Sequence, residues 1–403
     1  MPGGENTQMI TDSYSAQAQF QGGPAVADLL APSAWSRTRT PFVSTWREVP
    51  VSAELNWGST FFGVDMPESL RVVQSAYLRV RLPATTVATQ TYKALVGALA
   101  CGRQILKSAG NTVTDEEFSI VFADCLASFS EHKYATIANT LFGGTAAFAG
   151  AKDIYIPIFV LPNSSWAQRS DFHRGLGALP CQTGSNRLRI EFSMAAADSI
   201  VNTGDAPSIS NRCSIIYREA HLGSTALENA YADMRGQYSL ITRRFTDISG
   251  DWTSLDASTT TYTDIVLPSP QGCVTEMIIY AIPAPASGLA KNRALYDVRK
   301  MDYAELRCDS VTVMKLDSQQ FSDLNNAVNG FVFNGSQQQP TRFIFAPNSS
   351  QYASAYSGGF DFSNVSQVVL RLRSAVSVIF KVVVVNLATV KMDSSGVMRS
   401  YLT

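Results

Sequence analysis

The sequence predicts an all-β fold made of two consecutive β-sandwiches, with only a few short helices in the connections. Three observations favour this fold: short segments that alternate apolar and polar residues, few helical patterns, and a weak two-fold organisation of the 403-residue chain. Alternation with a period of two is typical of strands that bury one face. A chain of this length is too long for one ordinary domain and suits two.

The first segment of the chain shows no strand pattern. Residues 1–45 are rich in Gly, Gln, Ala, Ser and Pro and have little periodicity, which is typical of an extended arm rather than of a domain. Ala25–Leu30 and Trp35 are apolar and could dock the arm on a neighbour, with Arg37 and Arg39 as polar contacts. We therefore expect an N-terminal arm over residues 1–45, and no strand before about Glu48.

Three segments alternate in the manner of half-buried strands. Apolar and charged residues alternate within Arg187–Phe192, and Val368–Arg373 shows the same pattern. Ile154–Ile158 alternates as well, although Pro157 lacks an amide hydrogen and therefore indicates an edge strand or a strand end. Each segment predicts a strand with one buried face and one polar face.

Other segments are almost continuously apolar, and we expect them to form strands buried on both faces: Val72–Leu82, Val274–Ile282 and Val376–Leu387. Turn residues separate the strands. Asn329-Gly330 and Asn334-Gly335 are the dipeptides that most strongly indicate a tight β-hairpin.

Helical signals are few. Thr114-x-x-Glu117 is a capping box, and the apolar residues from Phe118 to Leu126 follow it at helical spacing. A second box, Thr225-x-x-Glu228, predicts a short helix near the middle of the chain. Many strands with an occasional helix in a long connection indicate sandwiches with Greek-key wiring.

The division into domains follows from the weak two-fold organisation. Each half opens with strands, passes through a long polar connection and closes on an apolar strand, the first of them near Ile215–Tyr217. We expect an arm over residues 1–45, a first sandwich over 46–222 and a second over 223–403, which begins with the linker helix.

Composition favours a protein that assembles. Only 16% of the residues are charged and 45% are hydrophobic, whereas about 25% charged residues is usual for a soluble domain. A large obligate interface would use a surface that is poor in charged residues and rich in apolar ones. The alternative is a well-packed β protein with an exterior rich in Ser and Thr. The net charge is −1, and Arg37, Arg39 and Arg47 come nearest to a basic stripe. Direct binding of nucleic acid is therefore not expected.

No pattern in the sequence predicts an active site. Gly97 and Gly102 have the spacing of a phosphate-binding loop, but Arg103-Gln104 stand where lysine and a hydroxyl residue are needed. There is no G-x-S-x-G and no H-E-x-x-H, and the six cysteines have no metal-ligand spacing. His173 is the one histidine worth naming as a base, and a lone loop histidine is usually structural. We expect no catalytic residue, no metal and no cofactor.

The sequence also shows no pattern that is typical of a secretory signal or of a membrane span. Met1–Phe20 has no charged region followed by an apolar stretch, so we expect no secretory signal. The longest apolar run, Val376–Val390, is interrupted by Lys381 and Asn386 and is shorter than the roughly 18 residues of a membrane span. We expect a soluble protein that is made in a reducing compartment.

Several segments of the first half follow one another in an order that is known from one family. Phe61–Asp65 and Leu78–Pro83 look like an early strand pair that ends in Leu-Pro. Ile154–Phe159, then Ala178-Leu179-Pro180 and Leu188–Phe192, look like that family's later succession of strands.

The second half continues the same order. Cys273–Ile279 is similar to the strand that opens the family's second domain. Phe343–Pro347, Gly358–Ser363, Val382–Leu387 and Ser395-Gly396 with Tyr401 follow the family's C-terminal order. Over roughly residues 50–403, the chain resembles the double jelly-roll major capsid proteins of large eukaryotic DNA viruses, a lineage that includes tailless membrane-containing phages.

The resemblance implies a structural protein with two consecutive jelly rolls and no enzymatic activity. It implies homotrimers that form pseudo-hexagonal capsomers and tile an icosahedral shell, so that the protein is located in the virion. The implied partners are further copies of the chain, minor and penton proteins, and, on the inner side, either an internal membrane or a layer of minor proteins. The arm would lie on this inner side.

Two other functions stay open at this point. One is a minor or vertex capsid protein. The other is a two-domain jelly-roll protein that binds carbohydrate, since the fold alone does not decide function. A lectin would need clustered exposed aromatic residues, whereas Trp57, Trp166 and Trp252 are dispersed along the sequence.

Overall fold

The computed structural model describes most of the chain after residue 41. The described residues are 42–67, 72–127, 131–161, 179–180, 187–222, 239–250, 252–284, 298–328, 339–345, 359–393 and 395–402. Within them the chain is dominated by strands, and no helix is long and apolar enough to cross a membrane. Residues 1–41 of the expected arm, His173, the second capping box at Thr225 and both Asn-Gly dipeptides lie outside the described residues.

The first half of the chain contains nine strands and four short helices within its described residues. The strands are β1 (Phe42–Pro50), β2 (Phe62–Asp65), β3 (Val72–Leu82), β4 (Cys101–Ser108), β5 (Asn111–Glu117), β6 (Lys152–Pro157), β7 (Leu179–Pro180), β8 (Leu188–Met194) and β9 (Cys213–Leu222). The helices are α1 (Val96–Leu99), α2 (Phe118–Ala127), α3 (Glu131–Thr140) and α4 (Ala197–Ile200).

The second half contains eleven strands and one helix within its described residues. The strands are β10 (Ser239–Asp247), β11 (Thr253–Leu255), β12 (Thr263–Leu267), β13 (Cys273–Pro283), β14 (Tyr303–Cys308), β15 (Val311–Leu316), β16 (Thr341–Ile344), β17 (Phe360–Asp361), β18 (Val368–Arg373), β19 (Val378–Met392) and β20 (Met398–Leu402). The helix is α5 (Gln319–Val328), and it follows β15 after two residues, whereas α2 follows β5 without a gap.

The two halves have the same strand order. In the first half, one sheet runs β1-β9-β3-β6, with β7 paired to β3, and the other runs β2-β8-β4-β5. In the second half, one sheet runs β10-β19-β13-β16, with β17 paired to β13, and the other runs β12-β18-β14-β15. Strands β11 and β20 are additions that pair with β19. Each half is therefore a sandwich with the same Greek-key wiring.

Local irregularities repeat as well. The β4–β5 hairpin turns at Ala109 and Gly110, and the β14–β15 hairpin turns at Asp309 and Ser310; all four residues have positive φ. Positive φ at both central residues defines the turn whose twist suits antiparallel strands. A register shift follows Leu106 in the first hairpin and Leu306 in the second. The repeat thus extends to individual residues.

A second pair of bulges fixes the residue correspondence between the sheets. The β3–β9 pairing shifts between Val73 and Ser75, and the β13–β19 pairing shifts between Val274 and Glu276. A bulge inserts one extra residue and sets the register of the strands around it. Ser75 therefore corresponds to Glu276, and each later residue of β3 corresponds to the residue at the same distance along β13.

The predicted half-buried strands are confirmed. Leu188, Ile190 and Phe192 of β8 are buried in the core of the first sandwich. Alternate residues of β18, from Val368 to Leu372, are buried in the core of the second. Strand β6 ends at Pro157, where the missing amide hydrogen stops the ladder.

Burial on both faces is confirmed for β13 and β19. In β19, Phe380, Val382 and Val384 belong to the core of the second sandwich. The residues between them, such as Val383 and Val385, belong to the cluster that includes the first sandwich. This strand has two apolar faces because one fills its own sandwich and the other contacts the first half of the chain.

For β3 the same prediction is wrong. Leu78 and Val80 are buried in the core of the first sandwich, but the opposite face carries Tyr77, Arg79 and Arg81, which are half-buried or exposed. No described part of the chain covers this face in the way that the first half covers β13.

Two further expectations are corrected. Strand β1 begins at Phe42, inside the segment expected to be an arm and before Glu48; it pairs along its whole length with β9. The box at Thr114 does not cap a helix, because Thr114 lies in β5 opposite Leu106. Its hydroxyl donates to the carbonyl of Val160 at 2.7 Å, and the helix begins only at Phe118.

Candidate assembly interface

The described residues contain no arrangement that resembles a reaction centre. Among them, no group of three or more His, Cys, Asp and Glu side chains could hold a metal ion. Gly97 lies in α1 and Gly102 in β4, so these two glycines do not form a phosphate-binding loop. Burial raises the pKa of the thiols of Cys101 and Cys213 to about 12, which keeps both protonated and unreactive at neutral pH.

A buried cluster of four charged side chains lies where the two sandwiches meet. Asp124 of α2 accepts hydrogen bonds from Arg243 of β10 at 2.8 Å and from Arg342 of β16 at 2.9 Å. Glu276 of β13 accepts from the same two arginines at 2.9 and 3.2 Å. All four residues are buried. One carboxylate from the first half thus links two arginines and a glutamate of the second.

The cluster is neutral overall, with two arginines and two carboxylates. Burial alone would lower the pKa of Arg342, but the attraction of Asp124 and Glu276 outweighs it and holds the pKa above its ordinary value. Desolvated charges are tolerated only when each has a partner of opposite sign and good geometry. In the sequence, Asp124 and Glu276 each stand as a single charge within an apolar segment, and no motif or spacing relates them to the two arginines.

Further polar contacts surround the cluster at the same interface. Lys381 of β19 contacts Glu117 of β5 and Asp247 of β10, each at 3.0 Å. The amide of Met398 in β20 donates to the hydroxyl of Ser108 in β4 at 2.9 Å. Apolar residues of both halves fill the space between these contacts. We call this contact between the two sandwiches the internal joint.

Glu116 is an unusual component of the internal joint. Its side chain is buried, and one oxygen accepts a long hydrogen bond of 3.5 Å from the amide of Phe245. The other oxygen has no hydrogen-bond partner among the described residues. Desolvation raises the pKa of this carboxyl well above its usual range. The joint therefore contains a carboxyl group that favours its protonated form.

The outer face of the β1-β9-β3-β6 sheet carries an open groove of about 490 Å³. Trp46, Tyr77 and Ile216 form its apolar part, and Glu48, Leu141 and Tyr155 complete the lining. The Trp46 side chain is 59% exposed, and its ring lies 6.0 Å from that of Tyr77. An exposed tryptophan beside other apolar side chains is typical of a surface that binds a partner. We call it the outer groove.

Charged residues beside the outer groove neutralise one another. Arg79 contacts Glu48 at 3.1 Å and also contacts Asp153, while Arg81 contacts Glu48 at 2.9 Å. A hydrogen bond from Ser214, together with these arginines, lowers the pKa of Glu48. The face therefore presents paired charges around an apolar centre, and a partner need not supply a strong charge.

Helix α5 has its polarity reversed. Phe321, Leu324 and Val328 lie one turn apart on one side, and all three are exposed. The inward side carries Ser322 and Asn326, which are buried. A surface helix normally turns its apolar stripe inwards, so the exposed stripe of α5 is a candidate contact surface.

The chain is similar to known proteins in its structure but not in its sequence. No family model matches the chain, and no curated protein matches it. Among solved structures, the chain is similar to the PBCV-1 virus capsid, with a TM-score of 0.64 and 12% identity over 91% of this chain and 98% of that one. The chain is a double jelly roll.

Two other solved structures share the double jelly-roll architecture. The Faustovirus major capsid protein matches with a TM-score of 0.61 and 8% identity, over 88% of this chain and 91% of that one. The mavirus major capsid protein matches with a TM-score of 0.55 and 9% identity, over 91% and 92%. The resemblance found in the sequence is thus confirmed in the fold, which spans nearly the full length of these chains.

Proposed function

We propose that this double jelly roll is the major capsid protein of an icosahedral DNA virus. In this proposal, three copies form a pseudo-hexagonal capsomer, and the capsomers tile the shell of the virion. The observation that carries the proposal is the similarity of almost the whole chain to the PBCV-1 virus capsid and to two major capsid proteins. A fold can host several functions, so the surfaces of this chain supply the second argument.

The surfaces support self-assembly rather than catalysis. A soluble monomer rarely leaves a tryptophan and an apolar helix stripe open to water, yet Trp46, Phe321, Leu324 and Val328 are all exposed. Such surface is typical of obligate interfaces. We therefore propose that the chain is a structural component without enzymatic activity, cofactor or metal.

We further propose the division of the chain and its partners. Because β1 begins at Phe42, residues 1–41 would act as an arm on the inner side of the shell, residues 42–222 as the first jelly roll, and 223–403 as the second. The partners would be neighbouring capsomers, minor and penton proteins, and an internal membrane beneath the shell. With a net charge of −1, the chain is not expected to bind nucleic acid directly.

Sedimentation velocity of the purified, full-length protein tests the oligomeric part of the proposal. We expect a single species of three times the chain mass of 43.7 kDa, with no free monomer at micromolar concentration. A stable monomer at that concentration would contradict the proposed capsomer.

A further inference from the structure

We infer that α5 of one chain binds the outer groove of a second copy in the way that α2 binds the second jelly roll within one chain. This inference rests on the self-assembly proposed above and specifies the surfaces that would meet. We call this contact the external joint. It follows from the residue-level repeat of the two halves and from a difference in what covers them.

Within one chain, α2 and β5 cover the outer face of the β10-β19-β13-β16 sheet. Asp124 of α2 reaches Arg243 and Arg342 on that face, and the hydroxyl of Tyr280 donates to the carbonyl of Ile120 at 3.4 Å. The covered face is buried as completely as a domain core, since Ile278 and Val383 are both 0% exposed.

The outer groove occupies the corresponding position on the first half. Trp46 pairs with Arg218, the residue opposite the bulge at Ser75, and Phe245 pairs with Val385, the residue opposite the bulge at Glu276. By the same registers, Tyr77 corresponds to Ile278, Ile216 to Val383 and Glu48 to Asp247. The groove lining is therefore the counterpart of the face that α2 covers.

Coverage differs sharply between these counterparts. Phe245 is 8% exposed beneath the first half of its own chain, whereas Trp46 is 59% exposed. Both sheets have the same wiring, and both offer apolar side chains at this place. Among the described residues of a single chain, only the face of the second half is covered by another element.

Helix α5 is the counterpart of α2, but no described part of the chain covers its apolar stripe. Both helices follow the second strand of a hairpin. Asp124 lies as many residues after the turn residue Gly110 as Leu324 lies after the turn residue Ser310. Asp124 is buried in the internal joint, whereas Leu324 is 57% exposed. Among the described residues, each chain thus leaves one apolar helix stripe and one apolar groove exposed, and two copies can cover both by a head-to-tail contact.

The chemistry of the two joints is matched and not interchangeable. The side chains that surround Asp124 are Arg342, Glu276 and Arg243, whose counterparts by register are Pro157, Ser75 and Ser44. The charged cluster of the internal joint therefore has neutral residues at the corresponding place of the outer groove. Leu324, the counterpart of Asp124, is apolar and therefore suits the neutral residues of the outer groove.

This difference would impose strict alternation of the two jelly rolls. Asp124 placed on an outer groove would be a buried charge without a partner, and Leu324 placed on the second jelly roll would leave Arg342 without Asp124. Both exchanges are penalised, because an unpaired buried charge is costly. A head-to-tail contact of this kind forms a closed ring when its rotation permits, and three copies complete the proposed capsomer.

Chemical cross-linking tests the contact in the assembled protein. Asp124 and Glu276 are gathered around the same arginines in the internal joint, so their counterparts Leu324 and Ser75 should be neighbours across the external joint. In the double variant Leu324→Cys/Ser75→Cys, a short bis-maleimide should produce covalent dimers and trimers. Each single variant serves as the control and should show only the background of the native cysteines.

A second variant tests the apolar contact. Leu324→Asp should reduce the trimeric fraction at least tenfold in sedimentation velocity. Val266→Asp is the matched control, since Val266 is 65% exposed and lies in β12, at the opposite edge of its sheet from β15; it should remain trimeric. Circular dichroism shows whether both variants keep their strand content, and the cross-linking result stands independently of it.

The outcomes separate the two proposals. If the native chain is trimeric but Leu324→Asp is trimeric too and the cysteine pair gives no cross-link, the external joint is wrong and the capsid function stands. If the native chain is a stable monomer, the capsomer itself is wrong. Trimers that cross-link only in the double variant and dissociate with Leu324→Asp support both.

Discussion

Trp46 and Phe245 occupy the same position in the two halves of the chain, yet Trp46 is exposed and Phe245 is buried. The strands around them are wired identically, so the local fold does not explain the difference. The explanation lies in the partner: the first jelly roll covers Phe245, and no described residue of the same chain covers Trp46 in this way. Both positions carry an aromatic residue, as expected if each of the two faces binds a neighbouring element.

The buried cluster predicts a large cost for removing one carboxylate. Asp124→Ala leaves Arg243 and Arg342 with a single carboxylate between them in a desolvated site. Loss of one partner of a buried ion pair typically costs about 3–5 kcal/mol, so thermal unfolding should begin many degrees lower. Asp264→Ala is the control, because Asp264 pairs with Arg371 at the surface, where such pairs contribute about 0–1 kcal/mol. Equal melting temperatures for the two variants would contradict the structural role of the cluster.

The two faces of β19 predict that a charge is not tolerated on either. Val384 lies in the second sandwich core and Val383 lies in the internal joint, and each is at most 1% exposed. An unpaired buried charge costs several kcal/mol, and a domain has only about 5–15 kcal/mol of stability. Val383→Asp and Val384→Asp should both give insoluble protein, while Val311→Asp, at the exposed start of β15, should stay soluble. Soluble trimers from both β19 variants would show that the strand is not buried.

Glu116 predicts a specific dependence of stability on pH. Burial raises the pKa of this carboxyl in the folded chain above its value in the unfolded chain, so the folded chain binds the proton more tightly. Its contribution to stability is therefore present below the ordinary pKa and is lost as the pH rises through the folded pKa.

The variant Glu116→Gln tests this sign, because a glutamine cannot ionise. Its melting temperature should exceed that of the native chain at neutral pH, and the difference should shrink as the pH falls through the raised folded pKa towards the ordinary glutamate value of about 4. Glu54→Gln, at an exposed position, controls for the change of charge. If Glu116→Gln and the native chain keep a constant difference across this range, the carboxyl is not protonated in the fold.

The strand pattern was predictable because it depends on local alternation. Leu188, Ile190 and Phe192 face one way in any strand, and their spacing identifies the buried face without knowledge of the partner strand. The continuous apolar run of β19 indicated burial on both sides for the same reason.

Features that depend on distant contacts were not predictable. The capping box at Thr114 was misleading because pairing of β5 with β4 overrides the local preference for a helix start. The outer face of β13 is covered by α2 and β5, which are far from it in sequence, whereas no described element covers the outer face of β3 in this way. The charged cluster joins residues far apart in sequence, and no spacing rule relates Asp124 to Arg342.

The start of β1 predicts how far the N-terminal arm can be removed. Residues 2–40 precede β1, which begins at Phe42 and pairs fully with β9. Deleting residues 2–40 should leave the melting temperature and the trimer content nearly unchanged and should sharply reduce the yield of particles. A truncated trimer that melts many degrees lower would show that the arm is part of the fold, and normal shells would show that it has no role in assembly.

Electron microscopy of the purified, full-length protein tests the central claim most directly. Two similar jelly rolls in each of three chains give six similar lobes, so class averages should show three-fold particles with a pseudo-hexagonal outline, and higher concentrations should give hexagonal tiles or closed shells. Isolated two-lobed monomers, or assemblies without three-fold symmetry, would contradict the claim that this chain forms the capsomers of a viral shell.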